Sequence, residues 1–390
     1  MDINTVLPQS SIIIIGSGLA GFTTIRELRK LDKVIPITLV TREPGYFYSK
    51  PMLSTALVSK KQPEQLISSS KESIATELDI SILPETEVLS IDTGSQIINT
   101  NKGALPYLKL VMALGSDQIR LPIQGNGATK VLTVNDLEEY TLFRQAILGK
   151  KRISILGAGL IGCEFANDLI LAGYEVDVID LAPQILGRLL PKLVAQELQT
   201  KLSEVGIRWH FGTTVQSIVK NGKNLQIALE NNHLINTDVI LSAIGLRPRL
   251  DLAKHAGIET GLGIKVNREL ETSSNNVYSI GDCAEVDGLV LPYVMPIMQA
   301  ARVLASNLIG QHASLTYPAM PVMVKTPSLS TVVSPPAKDA KGEWKTKTID
   351  GGGLEARFES PNGQLLGFAL LGSATTQRGA LSKKLPAILP

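Results

Sequence analysis

One stretch of the chain decides its fold: Ile12-Ile13-Ile14-Ile15-Gly16-Ser17-Gly18-Leu19-Ala20-Gly21. Four consecutive β-branched residues leave no polar face, which predicts a central strand of a parallel sheet, buried on both sides. A helix should begin at Leu19, because Phe22, Ile25 and Leu28 recur at the spacing of one helical face. The stretch therefore predicts a strand, a glycine turn and a helix in direct succession.

The three glycines give this turn a chemical use. Gly16 permits the tight turn, Gly18 lets the backbone approach a pyrophosphate, and Gly21 allows the helix to pack closely on the strand. A pyrophosphate would lie against the free N–H groups and the positive end of the helix. We therefore predict a dinucleotide site here, although such a glycine pattern also occurs in purely structural turns.

The same arrangement occurs a second time. Residues 153–162 read Ile153-Ser154-Ile155-Leu156-Gly157-Ala158-Gly159-Leu160-Ile161-Gly162, and an apolar helical face and a strand over 175–179 come next. Two accidental occurrences are improbable, so we interpret the chain as carrying two dinucleotide sites.

Similar elements follow each copy, which indicates an internal duplication. Residues 80–115 and 214–245 are both rich in strands and short turns, and each region ends in a strand that returns to its sheet. We predict an α/β fold with two Rossmann-like dinucleotide-binding domains and a small α+β C-terminal domain. The first domain is discontinuous, because the second is inserted into it at crossing linkers near 121–133 and 246–249. The predicted boundaries are 1–117, 118–245, 246–315 and 316–390.

The composition excludes several function classes. The 390 residues include 38 Lys and Arg against 36 Asp and Glu, a balance that argues against a nucleic-acid partner. No apolar run approaches about 20 residues, so we expect no membrane span. Residues 1–11 hold no cationic cluster, so we expect no secretory signal. The two cysteines, Cys163 and Cys283, favour a reducing cytoplasm.

Two loops should lie at the ligand-binding edge of the first sheet. Thr41 stands where a dinucleotide fold usually has a ribose-binding carboxylate. Glu43, two residues later, is a candidate for that carboxylate. Arg42 could bind a phosphate or stack on adenine. Both residues could equally be solvated loop charges. In the loop over 46–54, Lys50 lies among aromatic and proline residues, although an isolated lysine is more often a surface charge.

One carboxylate predicts the choice of nicotinamide nucleotide. Asp180 lies eighteen residues after Gly162, at the end of a predicted strand, where it would accept hydrogen bonds from both ribose hydroxyls. A 2′-phosphate would be repelled there, so we expect NADH to be preferred over NADPH by about 2 kcal/mol. Asp177 is the alternative acid, but it lies in the middle of the strand.

Five stretches in order resemble the fingerprint of the flavoprotein reductases with two dinucleotide domains, the pyridine nucleotide-disulfide oxidoreductase family. They are the two glycine stretches, Ala113-Leu114-Gly115, Ala243-Ile244-Gly245, and the run from Thr272 to Gly281-Asp282. The resemblance implies FAD in the first site and NAD in the second. It implies that Val88 contacts the adenine, Asp282 the ribityl chain, and Val294 and Lys325 the flavin. The remaining implied FAD contacts are Gly16, Ser17, Gly18, Leu19, Ala20, Gly21, Thr41, Arg42, Lys50 and Glu164, and the NAD contacts are Gly157, Gly159, Ile161, Gly162 and Asp180.

Within this family, residues 48–54, 163–168, 282–288 and 323–327 resemble the branch that reduces rubredoxin. This resemblance implies hydride transfer from NADH to the flavin, then single electrons to rubredoxin, with an alkane hydroxylase as the system served. It also pairs Glu164 with a lysine of the first domain, so Lys50 and Glu164 are the predicted catalytic residues. The alternative for Glu164 is a carboxylate that interacts only with the helix dipole.

The cysteine content restricts the route by which electrons can leave the flavin. The related disulfide reductases carry two closely spaced cysteines beside the flavin, and this chain lacks such a pair. We therefore predict that Cys163 and Cys283 are buried small residues and that the flavin passes electrons directly to the acceptor. Alternatives are a ferredoxin reductase and a redox-responsive module that binds FAD and NAD for signalling. Lys383-Lys384, or Arg42 with Lys60-Lys61, could steer an acidic partner, although such charges are usually only solvated.

Overall fold

The computed structural model describes residues 11–390. The expectation that no secretory signal is present concerns residues that lie, except for Ser11, outside the described part of the chain. In the described part, no helix combines the length and the apolar character that crossing a bilayer requires.

The first unit begins with the isoleucine strand, whose four residues are all buried. The elements up to the first crossing are β1 Ile12–Ile15, α1 Leu19–Leu31, β2 Ile37–Val40, β3 Phe47–Tyr48, β4 Ile67–Ser69, α2 Lys71–Leu78, β5 Ser81–Leu83, β6 Val88–Asp92, β7 Ile97–Thr100, β8 Gly103–Pro106, β9 Lys109–Met112 and β10 Ser116–Gln118. A 3₁₀ segment, Lys50–Thr55, lies in the connection between β3 and β4 of this unit.

The second unit is inserted next, and the chain then returns to the first. The elements of the second unit are β11 Val131–Thr133, α3 Leu137–Ile147, β12 Arg152–Leu156, α4 Leu160–Leu171, β13 Glu175–Asp180, α5 Lys192–Glu204, β14 Arg208–Phe211, β15 Val215–Asn221, β16 Asn224–Leu229, β17 Leu234–Thr237 and β18 Val239–Ser242. The returning elements are β19 Leu246–Pro248, α6 Asp251–His255, β20 Ile264–Val266, β21 Val277–Ser279, β22 Ala284–Val286 and α7 Val294–Leu308.

The two units share the arrangement of four sheet strands, and the fifth, edge strand comes last along the chain in the first unit (β21) and first in the second (β11). Their five-stranded sheets have the orders β21-β9-β1-β2-β5 and β11-β18-β12-β13-β14, and every pair in them is parallel. Each unit also carries a three-stranded antiparallel sheet, β6-β7-β8 or β15-β16-β17. In both sheets the strand before the glycine loop is central, because it pairs on both sides. The predicted fold class and the duplication are confirmed.

The crossing segments are more ordered than the sequence predicts. β10 and β19 pair as an antiparallel ribbon, so the two crossings between the units run side by side. The linker expected over 121–133 ends in β11, which pairs with β18 at the edge of the second sheet. Gly127 donates its N–H to the carbonyl of Ile218, which fixes the linker to the second unit. We propose that the boundaries at 117/118 and 245/246 belong to this ribbon.

The tail unit is one antiparallel sheet with a short helix. Its elements are β23 Val322–Val324, β24 Thr331–Ser334, β25 Glu343–Ile349, β26 Gly353–Glu359, β27 Leu365–Leu371 and α8 Arg378–Ser382, with the sheet order β23-β24-β27-β26-β25. Ala356, Ala369 and Leu371 join a hydrophobic cluster formed mainly by the second unit, whereas Phe368 and Leu370 belong to a separate cluster under α8. One face of the tail sheet therefore packs on the second unit.

Candidate functional site

The two glycine loops share one geometry. Gly16 and Gly157 have φ angles of +113° and +106°, in the region that favours glycine. A Cβ on Gly21 would overlap the carbonyl oxygen of Gly16, and a Cβ on Gly162 would overlap that of Gly157. The turn and packing roles predicted for Gly16 and Gly21 are therefore confirmed, and their counterparts in the second loop behave in the same way.

The middle glycine of each loop faces open space. Among the described residues, a Cβ on Gly18 or Gly159 would meet no other atom within 4 Å. These glycines are the N-caps of α1 and α4, and no side chain within residues 11–390 caps either helix. The first-turn N–H groups, at Leu19 and Ala20 in the first helix and around Ile161 in the second, are free to bind a phosphate. The residues present therefore fit a dinucleotide at both loops.

Polar side chains line the first loop at the end of β2. The Ser17 and Thr41 hydroxyl oxygens lie 2.8 Å apart, and Ser17 also donates to Glu43 Oε2 at 3.5 Å. The Glu43 N–H donates to Thr41 Oγ1 at 3.1 Å. Burial raises the pKa of Glu43, although Lys50 acts in the opposite direction. Glu43 is thus not a solvated loop charge, whereas Arg42 is exposed.

Asp180 is fixed beside the second loop. It is the last residue of β13, and its carboxylate accepts hydrogen bonds from the N–H groups of Ala158, within the glycine loop, and Ala182. Asp177 is engaged elsewhere, with Arg208 Nη2 at 2.7 Å and His210 Nε2 at 2.9 Å. Burial alone would raise the pKa of Asp177, but these hydrogen bonds outweigh burial and lower it to about 2.

Lys50 belongs to a network that joins the two units. Its Nζ donates to Asn135 Oδ1 at 3.0 Å, and Asn135 Nδ2 donates to the carbonyl of Ser116 at 2.8 Å. Ser116 Oγ in turn donates to Asp282 Oδ2 at 3.1 Å. The Lys50 residue still has solvent-exposed surface, and the surrounding protein lowers the pKa of its ammonium through desolvation, while the charge of Asp282 opposes that effect.

The predicted Lys50–Glu164 ion pair is wrong, because Glu164 has a different cation. Its side chain is 1% exposed, and its Oε2 lies 2.7 Å from Lys325 Nζ. Ser54 Oγ donates to the same oxygen at 2.6 Å, and the backbone N–H of Lys325 donates to Oε1 at 3.0 Å. Lys325, which directly follows β23, lies against α4. Lys50 is hydrogen-bonded to Asn135 instead. Whether Lys325 also contacts a flavin stays a prediction.

The remaining predicted contacts lie on the first unit. Val88 begins β6, and Val294 begins α7 with 40% of its surface exposed. Both cysteines are free and fully buried, as predicted. Burial raises the pKa of the Cys163 and Cys283 thiols, which disfavours the thiolate that a redox relay would need.

Comparison with known proteins settles the family. Residues 10–304 match the family model described as pyridine nucleotide-disulphide oxidoreductase. The chain belongs to this family. Membership in the pyridine nucleotide-disulphide oxidoreductase family confirms the oxidoreductase class and the cofactors FAD and NAD. Residues 314–385 match a second model, described as rubredoxin binding C-terminal domain.

Two curated relatives match almost end to end. The chain is 42% identical over 381 residues to the rubredoxin-NAD(+) reductase of Alcanivorax borkumensis, covering 97% of this chain and 99% of that protein. It is 44% identical over 388 residues to the protein of the same name from Acinetobacter baylyi, with coverages of 97% and 98%. Among solved structures, a ferredoxin reductase for the CYP199A2 system of Rhodopseudomonas palustris superposes with a TM-score of 0.87 at 25% identity, covering 98% and 96% of the two chains.

Sequence reasoning missed two residues of the site. Asn135 holds Lys50 across a sequence separation of 85 residues, and no local signal marks it. Ser54 lies within the loop that the sequence singles out, but its bond to Glu164 spans 110 residues. A search for polar residues beside Lys50 would have found Ser54 and would still have missed Asn135.

Proposed function

We propose that the chain is an NADH-dependent flavoenzyme that passes electrons through FAD to rubredoxin. The observation that carries the proposal is the match of residues 314–385 to a rubredoxin-binding domain, next to the match of residues 10–304 to the oxidoreductase family. The two curated relatives named above, which carry the same reductase and tail over almost their full length, support it.

Within this proposal the chain supplies binding, orientation and charge. Bound FAD would supply the chemistry that links a two-electron hydride donor to a one-electron acceptor. The free N–H groups at the starts of α1 and α4 would hold the two pyrophosphates, with Ser17 and Thr41 beside the first. Asp180 would accept hydrogen bonds from the ribose hydroxyls of NADH, and Asp282 would bind the ribityl chain of FAD. Lys50 would place a positive charge near the flavin, held in position by Asn135.

The fate of the electrons follows from the cysteines. Both thiols are buried and unpaired, so no thiol relay joins the flavin to a disulfide substrate. The buried free thiols also favour a reducing compartment, and we propose the cytoplasm. We propose that rubredoxin in turn delivers these electrons to an alkane hydroxylase.

A ferredoxin reductase is the second candidate. It is favoured by the superposition with the Rhodopseudomonas palustris ferredoxin reductase, which extends over 98% of this chain. The two candidates share fold, cofactors and chemistry, and they differ only in the acceptor. The assay must therefore present both iron proteins to the same preparation.

The decisive experiment is stopped-flow mixing of the purified flavoprotein with NADH or NADPH, then with rubredoxin or ferredoxin. We expect faster flavin reduction by NADH than by NADPH, and faster reoxidation by rubredoxin than by ferredoxin. Faster reoxidation by ferredoxin would replace the proposal with the second candidate. A reduced flavin that no acceptor reoxidises quickly would instead favour a redox-responsive signalling module.

A further inference from the structure

Helix α4 carries three buried polar side chains on one turn. Glu164, Asn167 and Asp168 are exposed by 1%, 0% and 2%, respectively. The helix begins at the second glycine loop, so this turn lies next to the dinucleotide site proposed there. Buried polar groups of this kind are retained only when partners satisfy them.

All three side chains find those partners outside the second unit. Asn167 Nδ2 donates to Ser328 Oγ at 2.6 Å, and the Ser328 N–H donates to Asn167 Oδ1 at 3.2 Å. The Asp168 carboxylate accepts hydrogen bonds from the N–H groups of Leu57 and Val58, with N···O distances of 3.0 and 2.9 Å. Helix α4 is therefore held by the first unit and by the tail unit at once.

The tail contacts come from one short segment. Residues 325–328, Lys-Thr-Pro-Ser, follow β23 directly, and we call them the tail segment. Its first residue, Lys325, bonds Glu164 through both its ammonium and its backbone N–H, and its last residue, Ser328, bonds Asn167. Lys325 Nζ also donates to Ser54 Oγ at 2.9 Å and to the carbonyl of Pro51, beside Lys50.

The charge on Glu164 is thus balanced by the tail unit. Removing one partner of a buried ion pair leaves an uncompensated charge, which the protein relieves by moving the remaining side chain or by changing its protonation state. In this fold the disturbance would fall on Glu164, which lies two residues after Gly162 and one turn from the start of α4. The proposed NADH site at the start of α4 would therefore be disturbed by a change in the tail unit.

We propose that Lys325 is a positioning residue for the reduction of the flavin by NADH. By neutralising and fixing Glu164 on α4, the tail segment makes the first half of the reaction depend on the tail unit before any acceptor arrives. This inference rests on the proposed function, because that function places the pyrophosphate of NADH at the start of α4, one turn from Glu164. It assigns the tail unit a task in addition to acceptor binding.

The test is a double-mutant cycle on the holoprotein, with Lys325→Met, Glu164→Gln and the double variant. The readouts are the rate of flavin reduction by NADH without acceptor, the FAD content, and the thermal unfolding midpoint. We expect Lys325→Met to slow reduction about tenfold, and to add less than about threefold once Glu164 is Gln, because paired groups are non-additive. The unfolding midpoints should show the same non-additivity, and Lys325→Arg should keep most of the rate.

Matched controls separate this role from general damage. Lys341→Met removes an exposed lysine of the same unit and should behave as the parent. If Lys325→Met is too unstable to assay, Ser328→Ala weakens the other contact of the tail segment with α4, the one to Asn167, with the exposed Ser330→Ala as its control. We expect Ser328→Ala to slow flavin reduction about twofold, and Ser330→Ala to leave it unchanged.

Three outcomes decide the matter. Parental flavin reduction in both Lys325→Met and Ser328→Ala would overturn the inference, and so would fully additive effects of Lys325→Met and Glu164→Gln. The expected cycle in a protein that fails to reduce rubredoxin would support the inference and contradict the proposed acceptor. The failure of one claim is therefore distinguishable from the failure of the other.

Discussion

Asp168 is a buried carboxylate whose titration should be visible in the stability of the protein. Burial raises its pKa from 3.8 to about 6, against the effect of the amide bonds from Val58 and Leu57. The native state therefore binds this proton more tightly than the unfolded chain does. Between pH 4 and 6 the unfolding free energy should fall as pH rises, by about 3 kcal/mol from this group.

Asp168→Asn should remove that contribution. Denaturant unfolding at several pH values should give a flatter profile between pH 4 and 6 for the variant than for the parent. Glu77→Gln, at an exposed position of α2, is the control and should leave the parental slope intact. Identical slopes for the parent and Asp168→Asn would contradict the assignment.

Asp180 is the residue that we expect to cause the preference for NADH over NADPH. Asp180→Asn keeps an acceptor for the N–H groups of Ala158 or Ala182 and removes the charge that would repel a 2′-phosphate. The ratio of kcat/KM for NADPH to that for NADH should rise about 30-fold, the equivalent of about 2 kcal/mol. Steady-state kinetics with both nucleotides measures it. Asp177→Asn is the comparison, and a rise in that variant with no change in Asp180→Asn would transfer the role to Asp177.

At the scale of elements, the duplicated glycine loops can be perturbed one at a time. A Cβ on Gly162 would push α4 away from its loop, whereas a Cβ on Gly21 would do the same to α1. Overpacking of this kind costs about 1–3 kcal/mol. Gly162→Ala should therefore raise KM for NADH about tenfold or more with FAD retained, whereas Gly21→Ala should lose FAD.

The measurements are FAD content by absorbance and NADH kinetics on the same preparations. Gly379→Ala, in α8, meets nothing within 4 Å in the described part of the chain and serves as the control for glycine replacement. Loss of FAD from Gly162→Ala with normal binding by Gly21→Ala would reverse the assignment of the two loops.

At the scale of the whole molecule, the positive charge is concentrated in the tail. Residues 316–390 carry nine Lys and Arg against five Asp and Glu, whereas the rest of the chain carries 29 against 31. An acidic iron protein would be steered towards this end, and salt would weaken the attraction. Lys383 and Lys384, exposed directly after α8, are the candidates on the tail.

Reversing those charges should raise KM for rubredoxin. We expect Lys383→Glu with Lys384→Glu to raise it about tenfold at low salt and to flatten its dependence on ionic strength. Lys60→Glu with Lys61→Glu is the matched pair on the first unit, and it tests the alternative surface. A larger effect of the second pair would place the docking surface on the first unit.

What the sequence predicts well depends on neighbours along the chain. The isoleucine strand, the helix after it and the glycine turn are encoded within residues 12–28, so their pattern survives without tertiary information. Asp180 is also predictable, because it lies at a fixed point of the same local unit. The crossing ribbon β10–β19 is not, since its strands are short and their partners lie more than a hundred residues apart.

The sequence by itself determined the duplicated strand–turn–helix units, the glycine roles and the acid at the end of β13. Only the tertiary structure decided which polar and charged side chains meet. Glu164 binds Lys325, 161 residues away, and Lys50 binds Asn135, 85 residues away. The physical reason is that local geometry follows from side-chain size and backbone freedom, whereas ion-pair partners depend on how three packed units bring distant residues to one helix.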